Sequence, residues 1–205
     1  MNENILIFVG GASGTGKTTV VNSLAAFYDA VICKRNNLFF ELANERGIPQ
    51  NQVYNKVSPR DVDRLFVKKC LDNKVVLSDV HYAIQLERDK KHGVGMNSIE
   101  CSEEYVRTIS SELISMLQEK GILIIAILLS ENATTLWKRQ QVREHEDGKL
   151  ARARSVNDIL EQIDAEKKVW AELSNLEIPT FNISCNGKNQ KLIREDIVRC
   201  LTQFI

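Results

Sequence analysis

Residues Gly11-Ala12-Ser13-Gly14-Thr15-Gly16-Lys17-Thr18 match the spacing G-x-x-x-x-G-K-[ST], and the apolar β-type run Ile5 to Val9 leads directly into them. No other feature constrains the fold as tightly. Glycine at these positions lets backbone N–H groups turn inward around an anion where side chains would obstruct. Such a loop holds phosphates, with Lys17 reaching the β- and γ-phosphates and the Thr18 hydroxyl holding Mg²⁺. Thr18 to Phe27 reads as a helix with Val20, Val21, Leu24 and Phe27 on one face, so its positive N-terminal end faces the same anion. At average glycine usage of about 7%, a chance match in a chain of this length is on the order of 1%. As a loop residue, Lys17 is expected to be exposed.

The remaining pattern fits an α/β chain. Short apolar strands are expected at Ala30 to Cys33, Val75 to Leu77 (closed by Ser78-Asp79), Ile122 to Leu129 and Thr180 to Ser184. Helical stretches separate them. Ser58-Pro59-Arg60-Asp61 reads as a helix start with Ser as cap, followed by Val62, Leu65, Phe66 and Cys70 at helical spacing. A helix carrying Val106, Ile109, Leu113 and Met116 inward stops at Gly121. Ser130 is expected to cap a helix over 131–145. Ser155 and Asp158 form a capping box for a long helix bearing Val156, Ile159, Leu160, Ile163, Trp170 and Leu173. Leu192, Ile193, Ile197 and Leu201 stripe a closing helix, and residues 80–100 read as a loop. Alternating strands and helical crossovers imply a parallel sheet covered on both faces, in one domain over residues 1–205.

Composition narrows the function classes. The 205 residues carry 27 basic and 27 acidic side chains, and this zero net charge argues against nucleic acid or anionic membrane as the partner. The longest apolar run, Ile122 to Leu129, is far short of the ~20 residues of a membrane helix. Glu3 and the lack of basic residues before Ile5 argue against a signal peptide. Cys33, Cys70, Cys101, Cys185 and Cys200 are odd in number and scattered, with no Cys-x-x-Cys and no clustering with His81, His92 or His145. They read as reduced thiols of a cytoplasmic protein rather than a zinc site or disulfide framework. The sequence leaves a homo-oligomer open.

Two further groups of residues are candidates for the site. Asp79 ends the run VVLSD, at the carboxyl edge of a central strand, where open α/β sheets bind ligands and an acid can accept a metal-bound water. His81, two residues on, is either a satisfied loop histidine or one that contacts phosphate or orients water. Arg139 and Arg143 lie one helical turn apart, and Lys149, Arg152 and Arg154 follow in the segment before Ser155. Phosphoryl transfer relies on positive charge around the migrating group, and such a segment over 146–154 could be a short lid that also excludes water. The alternative is a solvated face paired with Glu144, Glu146 and Asp147.

Together these residues resemble the adenylate-kinase-like branch of the P-loop kinases, most nearly the archaeal type of adenylate kinase. The likeness includes the glycine loop, NNLFFELANERG after the second strand, SPRDVDRLFVKKCLDNKVVLSDVHY, the R-A-R-S segment with its long helix, and the closing strand with Asn186. The D-x-H of Asp79-Val80-His81 also resembles a group of adenylate-kinase-like ATPases linked to ribosome assembly. The resemblance implies a three-layer P-loop kinase fold with a five-stranded parallel sheet. It implies that Gly11, Ala12, Ser13, Gly14, Thr15, Gly16, Lys17, Thr18 and Thr19 hold the donor phosphates of ATP, and that Asp79 helps Thr18 bind Mg²⁺. Arg139 would lie against the donor base, and Arg152 and Arg154 would be the lid arginines acting with Lys17 in catalysis. The chain departs from the family at Ser155, where an acid is usual, and at Lys34-Arg35-Asn36-Asn37 in the acceptor region. Arg35, Arg60 and Lys56 are candidates to grip an acceptor phosphate. Three functions follow in order: transfer from ATP·Mg to an AMP-like nucleoside monophosphate, transfer to a non-nucleotide small molecule, or an ATPase switch acting on a protein or RNA.

Overall fold

A computed structural model describes residues 4–85, 105–147 and 155–205. Its centre is a parallel sheet of β1 (Ile5–Gly10), β2 (Val31–Ile32), β3 (Val75–Asp79), β6 (Leu123–Ser130) and β7 (Thr180–Ser184). They lie in the order β2-β3-β1-β6-β7. In the middle, Ile7 lies level with Leu77 on one side and Ile125 on the other. This is the expected five-stranded α/β architecture.

Because side chains alternate across a strand, β1 feeds both faces. Leu6 and Phe8 join Phe66, Leu113 and Val169 on one side of the sheet. Ile5, Ile7 and Val9 join Val20, Leu24, Ile193 and Ile197 on the other. The first layer is therefore built by α4 (Pro59–Leu71), α5 (Ser111–Glu119) and α7 (Val156–Ser174), the second by α1 (Lys17–Tyr28) and α8 (Gln190–Leu201). Helices α2 (Arg35–Glu45) and α3 (Val53–Lys56) add Leu38, Phe39, Leu42 and Val53 to the first layer, and α6 (Ala133–Asp147) packs against the glycine loop.

Several local expectations give way to tertiary partners. Residues 80–100 were expected to be loop throughout, but Ala83–Gln85 forms β4, which pairs antiparallel with β5 (Tyr105–Arg107). Val106 is thus in a strand, and α5 starts only after Ser110, whose side chain accepts from the Leu113 amide. Ser130 is the last residue of β6. The amide of Thr135 in α6 is taken by the Asn132 side chain at 2.8 Å. Ser58 occupies the N-cap of α4 without a side-chain cap bond, and Asp61 instead pairs with Arg46 at 2.8 Å. Phe27 is 55% exposed on the last turn of α1, edge-on to Tyr28 and beneath Arg194. Leu160 and Leu192 face outward as well, since each adjoins an isoleucine that faces in and successive helical residues diverge by about 100°. Ser155 caps α7: the Asp158 amide donates to Ser155 Oγ at 3.1 Å, and the Ser155 hydroxyl donates to Asp158 Oδ1 at 2.9 Å.

Candidate active site at the carboxyl edge of the sheet

β1 ends at Gly10, and the glycine loop crosses the carboxyl edge of the sheet before entering α1 at Lys17. Gly10 has a strict requirement of its own. A Cβ there would lie 2.1 Å from a ring carbon of Tyr82, which is fully buried. The Tyr82 hydroxyl donates to the carbonyl of Ile127 at 2.9 Å, so the ring is held against β1 and β6. Burial holds the Tyr82 phenol well above its ordinary pKa.

Lys17 is not exposed. It retains 8% of its surface and folds back over the loop, with Nζ donating to the carbonyls of Gly11 at 2.5 Å and Ala12 at 3.1 Å. Those carbonyls hold the ammonium at the mouth of the loop. Thr18 Oγ1 donates to Asp79 Oδ2 at 2.6 Å, across 61 positions of sequence. The expected metal pair is therefore brought together, Thr18 from the first turn of α1 and Asp79 from the end of β3. Both are hard oxygen donors, the chemistry that suits Mg²⁺, which keeps waters and phosphate oxygens as its other ligands. Among the described residues no cluster of three or more His, Cys, Asp or Glu could hold a metal ion, so this pair is the candidate.

Lys34 lies 3.4 Å from the same Asp79 oxygen. Its neighbour Arg35 donates from Nε to Asp63 Oδ1 at 2.6 Å, with Asp63 buried and the guanidinium over the Phe39 ring. Of the three candidate acceptor cations, Arg35 alone is fixed by a buried carboxylate. Arg60 pairs with Glu112 in the open, and Lys56 is exposed on α3.

The other side of the loop is covered by α6. Arg139 donates from NH1 to the Gly14 carbonyl at 3.2 Å and from NH2 to the buried carboxylate of Glu131 at 3.1 Å. Gln140 Nε2 donates to the Ser13 carbonyl at 3.0 Å. Arg139 thus touches the loop directly, a contact that sequence reasoning did not foresee. Arg152, Arg154, Lys149 and the segment Glu87 to Glu100 lie outside the described residues.

Glu166 on α7 was missed in the sequence. It keeps 1% of its surface, with Oε1 2.7 Å from His81 Nδ1 and Oε2 accepting from the Tyr82 amide at 2.7 Å. The Thr108 hydroxyl donates to the His81 carbonyl. One buried carboxylate therefore sets the position of two consecutive residues just past Asp79. Since Nδ1 faces a carboxylate, it carries the ring proton, and in the neutral ring Nε2 holds the lone pair.

No protein-family model matches the chain, and no curated protein matches it. Solved structures share its fold. YorR from Bacillus subtilis, solved with phosphorylated GDP, superposes with a TM-score of 0.57 at 16% identity, covering 96% of this chain and 95% of that one. A gluconokinase from Sinorhizobium meliloti 1021 gives 0.52 at 14% identity over 98% and 93%. The shikimate kinase of Acinetobacter baumannii, in complex with shikimate, gives 0.50 at 15% identity over 99% and 96%. Together with the sheet order, these likenesses show the three-layer P-loop kinase fold.

Proposed function

We propose that the chain is an ATP-dependent phosphotransferase that moves the γ-phosphoryl group of ATP·Mg to a small-molecule acceptor, with an AMP-like nucleoside monophosphate as first candidate. The observation that carries this reading is the 2.6 Å hydrogen bond between Thr18 and Asp79 at the end of the glycine loop. It joins two hard donors from separate elements at the place where a nucleotide's metal would sit. Bound Mg²⁺ would neutralise charge on the β- and γ-phosphates. Lys17 would leave its carbonyl partners for the phosphates, and Thr15, Gly16 and Thr19 would complete the cradle. Arg139 would border the donor base. An anionic acceptor would meet the guanidinium of Arg35, whose orientation the buried Asp63 fixes. Arg152 and Arg154 enter from the sequence as lid arginines closing on the transferred group.

A second reading, transfer to a hydroxyl of a non-nucleotide small molecule, is favoured by His81 and Glu166. An acceptor phosphate needs no base, whereas a hydroxyl must lose its proton, and a histidine fixed by a buried carboxylate suits that task.

The test is ADP release from ATP·Mg with a panel of nucleoside monophosphates and small hydroxy acids, gluconate and shikimate included. Stimulation by one acceptor is expected, and Lys17→Ala should lower the stimulated rate by about 10²- to 10³-fold. Release that no acceptor stimulates would replace transfer by ATP hydrolysis. Equal rates for wild type and a folded Lys17→Ala would overturn the reading altogether.

A further inference from the structure

A phosphate cradle works only if its peptide planes are turned the right way; within this loop Lys17 and Thr15 hold the carbonyls of Gly11 and Ala12, whereas those of Ser13 and Gly14 are held from outside it. In a trans peptide the carbonyl of one residue points opposite to the N–H of the next. A carbonyl held outward therefore turns the following amide inward. At the tip of this loop two consecutive carbonyls are held outward from α6: that of Ser13 by Gln140 Nε2 at 3.0 Å, and that of Gly14 by Arg139 at 3.2 Å. The Ser13–Gly14 peptide is free to flip unless it is held, because Gly14 sits at φ +96°, a region glycine shares between alternative conformations. The tip is also seated on α6 by packing. Ala12 joins Ala133, Leu136 and Ile159 in one apolar cluster, and a Cβ on Gly14 would lie 3.5 Å from Leu136.

Gln140 stands out in this arrangement. It is 4% exposed, on a helix whose neighbouring turns are charged, and a carbonyl partner leaves its amide nitrogen no role but donor. We propose that Gln140 is a positioning residue for the donor phosphates: by holding the Ser13 carbonyl outward it aims the Gly14 amide into the cradle. It touches no phosphate itself. Unlike Arg139 it brings no charge to the site, so its effect on the phosphates runs through the loop backbone. The inference rests on reading residues 11–18 as a phosphate loop.

Calorimetric titration of the full chain with Mg²⁺ present tests it, using ADP and inorganic tripolyphosphate as separate probes. Gln140→Leu and Gln140→Met both remove the donor without adding charge, and both should weaken the two probes by about the same factor, roughly tenfold. The KM for ATP should rise similarly while kcat changes much less, because an aimed amide serves ground and transition states alike. In the wild type, tripolyphosphate should shift the Gly14 amide resonance strongly, a readout independent of how either variant folds. Folded variants that bind both probes as wild type does would overturn the proposal. So would loss of ADP binding with tripolyphosphate binding intact, which would place Gln140 at the base instead, or a Gly14 resonance unmoved by tripolyphosphate. Wild-type protein that binds neither probe would overturn the phosphate-loop reading itself, and this inference with it.

Discussion

Glu166 gives the sharpest test of how the carboxyl edge is held together. Its carboxylate accepts one backbone bond, from Tyr82, and faces His81 Nδ1, each at 2.7 Å, with almost no water in reach. Bonds to a charged acceptor each contribute about 1.5–3 kcal/mol, and a buried partner left unpaired adds its own desolvation cost. Glu166→Ala removes both acceptors and strands the Tyr82 amide, so a loss of roughly 3–5 kcal/mol is expected. For a chain of this size each kcal/mol lowers Tm by about 2–4 °C, giving a drop of roughly 6–20 °C. Glu166→Gln is the informative contrast. Its carbonyl still serves Tyr82, while its amide nitrogen must donate to His81 Nδ1 and so moves the ring proton to Nε2. The stability loss should be only about 1–2 kcal/mol. If a hydroxyl is the phosphoryl acceptor, however, turnover should fall by about 10²- to 10⁴-fold, because the nitrogen that took its proton now carries one. Thermal melts followed by circular dichroism, beside steady-state rates with the acceptor found by the panel, read both halves. A Glu166→Ala variant melting within a degree of wild type would refute the structural argument. Full turnover of Glu166→Gln on a hydroxyl acceptor would refute the chemical one.

Gly10→Ala places a methyl 2.1 Å from the buried Tyr82 ring, whose hydroxyl is tied to Ile127, and should cost about 1–3 kcal/mol or more, seen as a clearly lowered Tm. An unchanged melt would mean that the ring yields. Burial pushes the Cys33 and Cys185 thiols up to about 11 and that of Cys70 to about 12, so all three should resist a thiol reagent at pH 8 in the native protein and react once denaturant is added. Since the unfolded chain loses these protons above its own value near 8.5–9 and the native chain keeps them, their contribution to stability is full below pH 8 and falls as pH rises toward 11, which alkaline melts would register.

The parts of this molecule legible in sequence are those where local pattern and tertiary role coincide. The loop from Gly11 to Thr18 is one, because its backbone requirement is written in consecutive residues. The strands around Ile7, Leu77 and Ile125 are another, because a strand buried on both faces must be apolar throughout. Asp79 ends β3, as its position after an apolar run predicts. The β4–β5 pair was not legible, because each of its two short strands is matched only by the other. Helix α2 drew attention only through its resemblance to a family, since the polar residues Arg35, Asn36 and Asn37 at its start hide the stripe of Leu38, Leu42 and Ala43.

The polar residues that organise the site were passed over for a different reason, and one that can be turned into a rule. On α7 the inward series runs Ile159, Ile163, Glu166, Trp170, Leu173, with Glu166 at a stripe position and not on the solvent face. On α6 it runs Ala133, Leu136, Gln140, and on α4 Asp63, Phe66, Cys70. In each case a polar side chain stands three or four residues from its apolar neighbours, where burial is dictated by the helix's own period. A buried carboxylate or amide must find a partner. Here the partners of all three lie on the carboxyl edge or the loop above it: His81 and Tyr82, Ser13, and Arg35. A polar residue in the apolar stripe of a crossover helix is thus a pointer to the edge where ligands bind. Glu166, Gln140 and Asp63 are three helix positions at which this fold gives up apolar packing to fix residues of the candidate site.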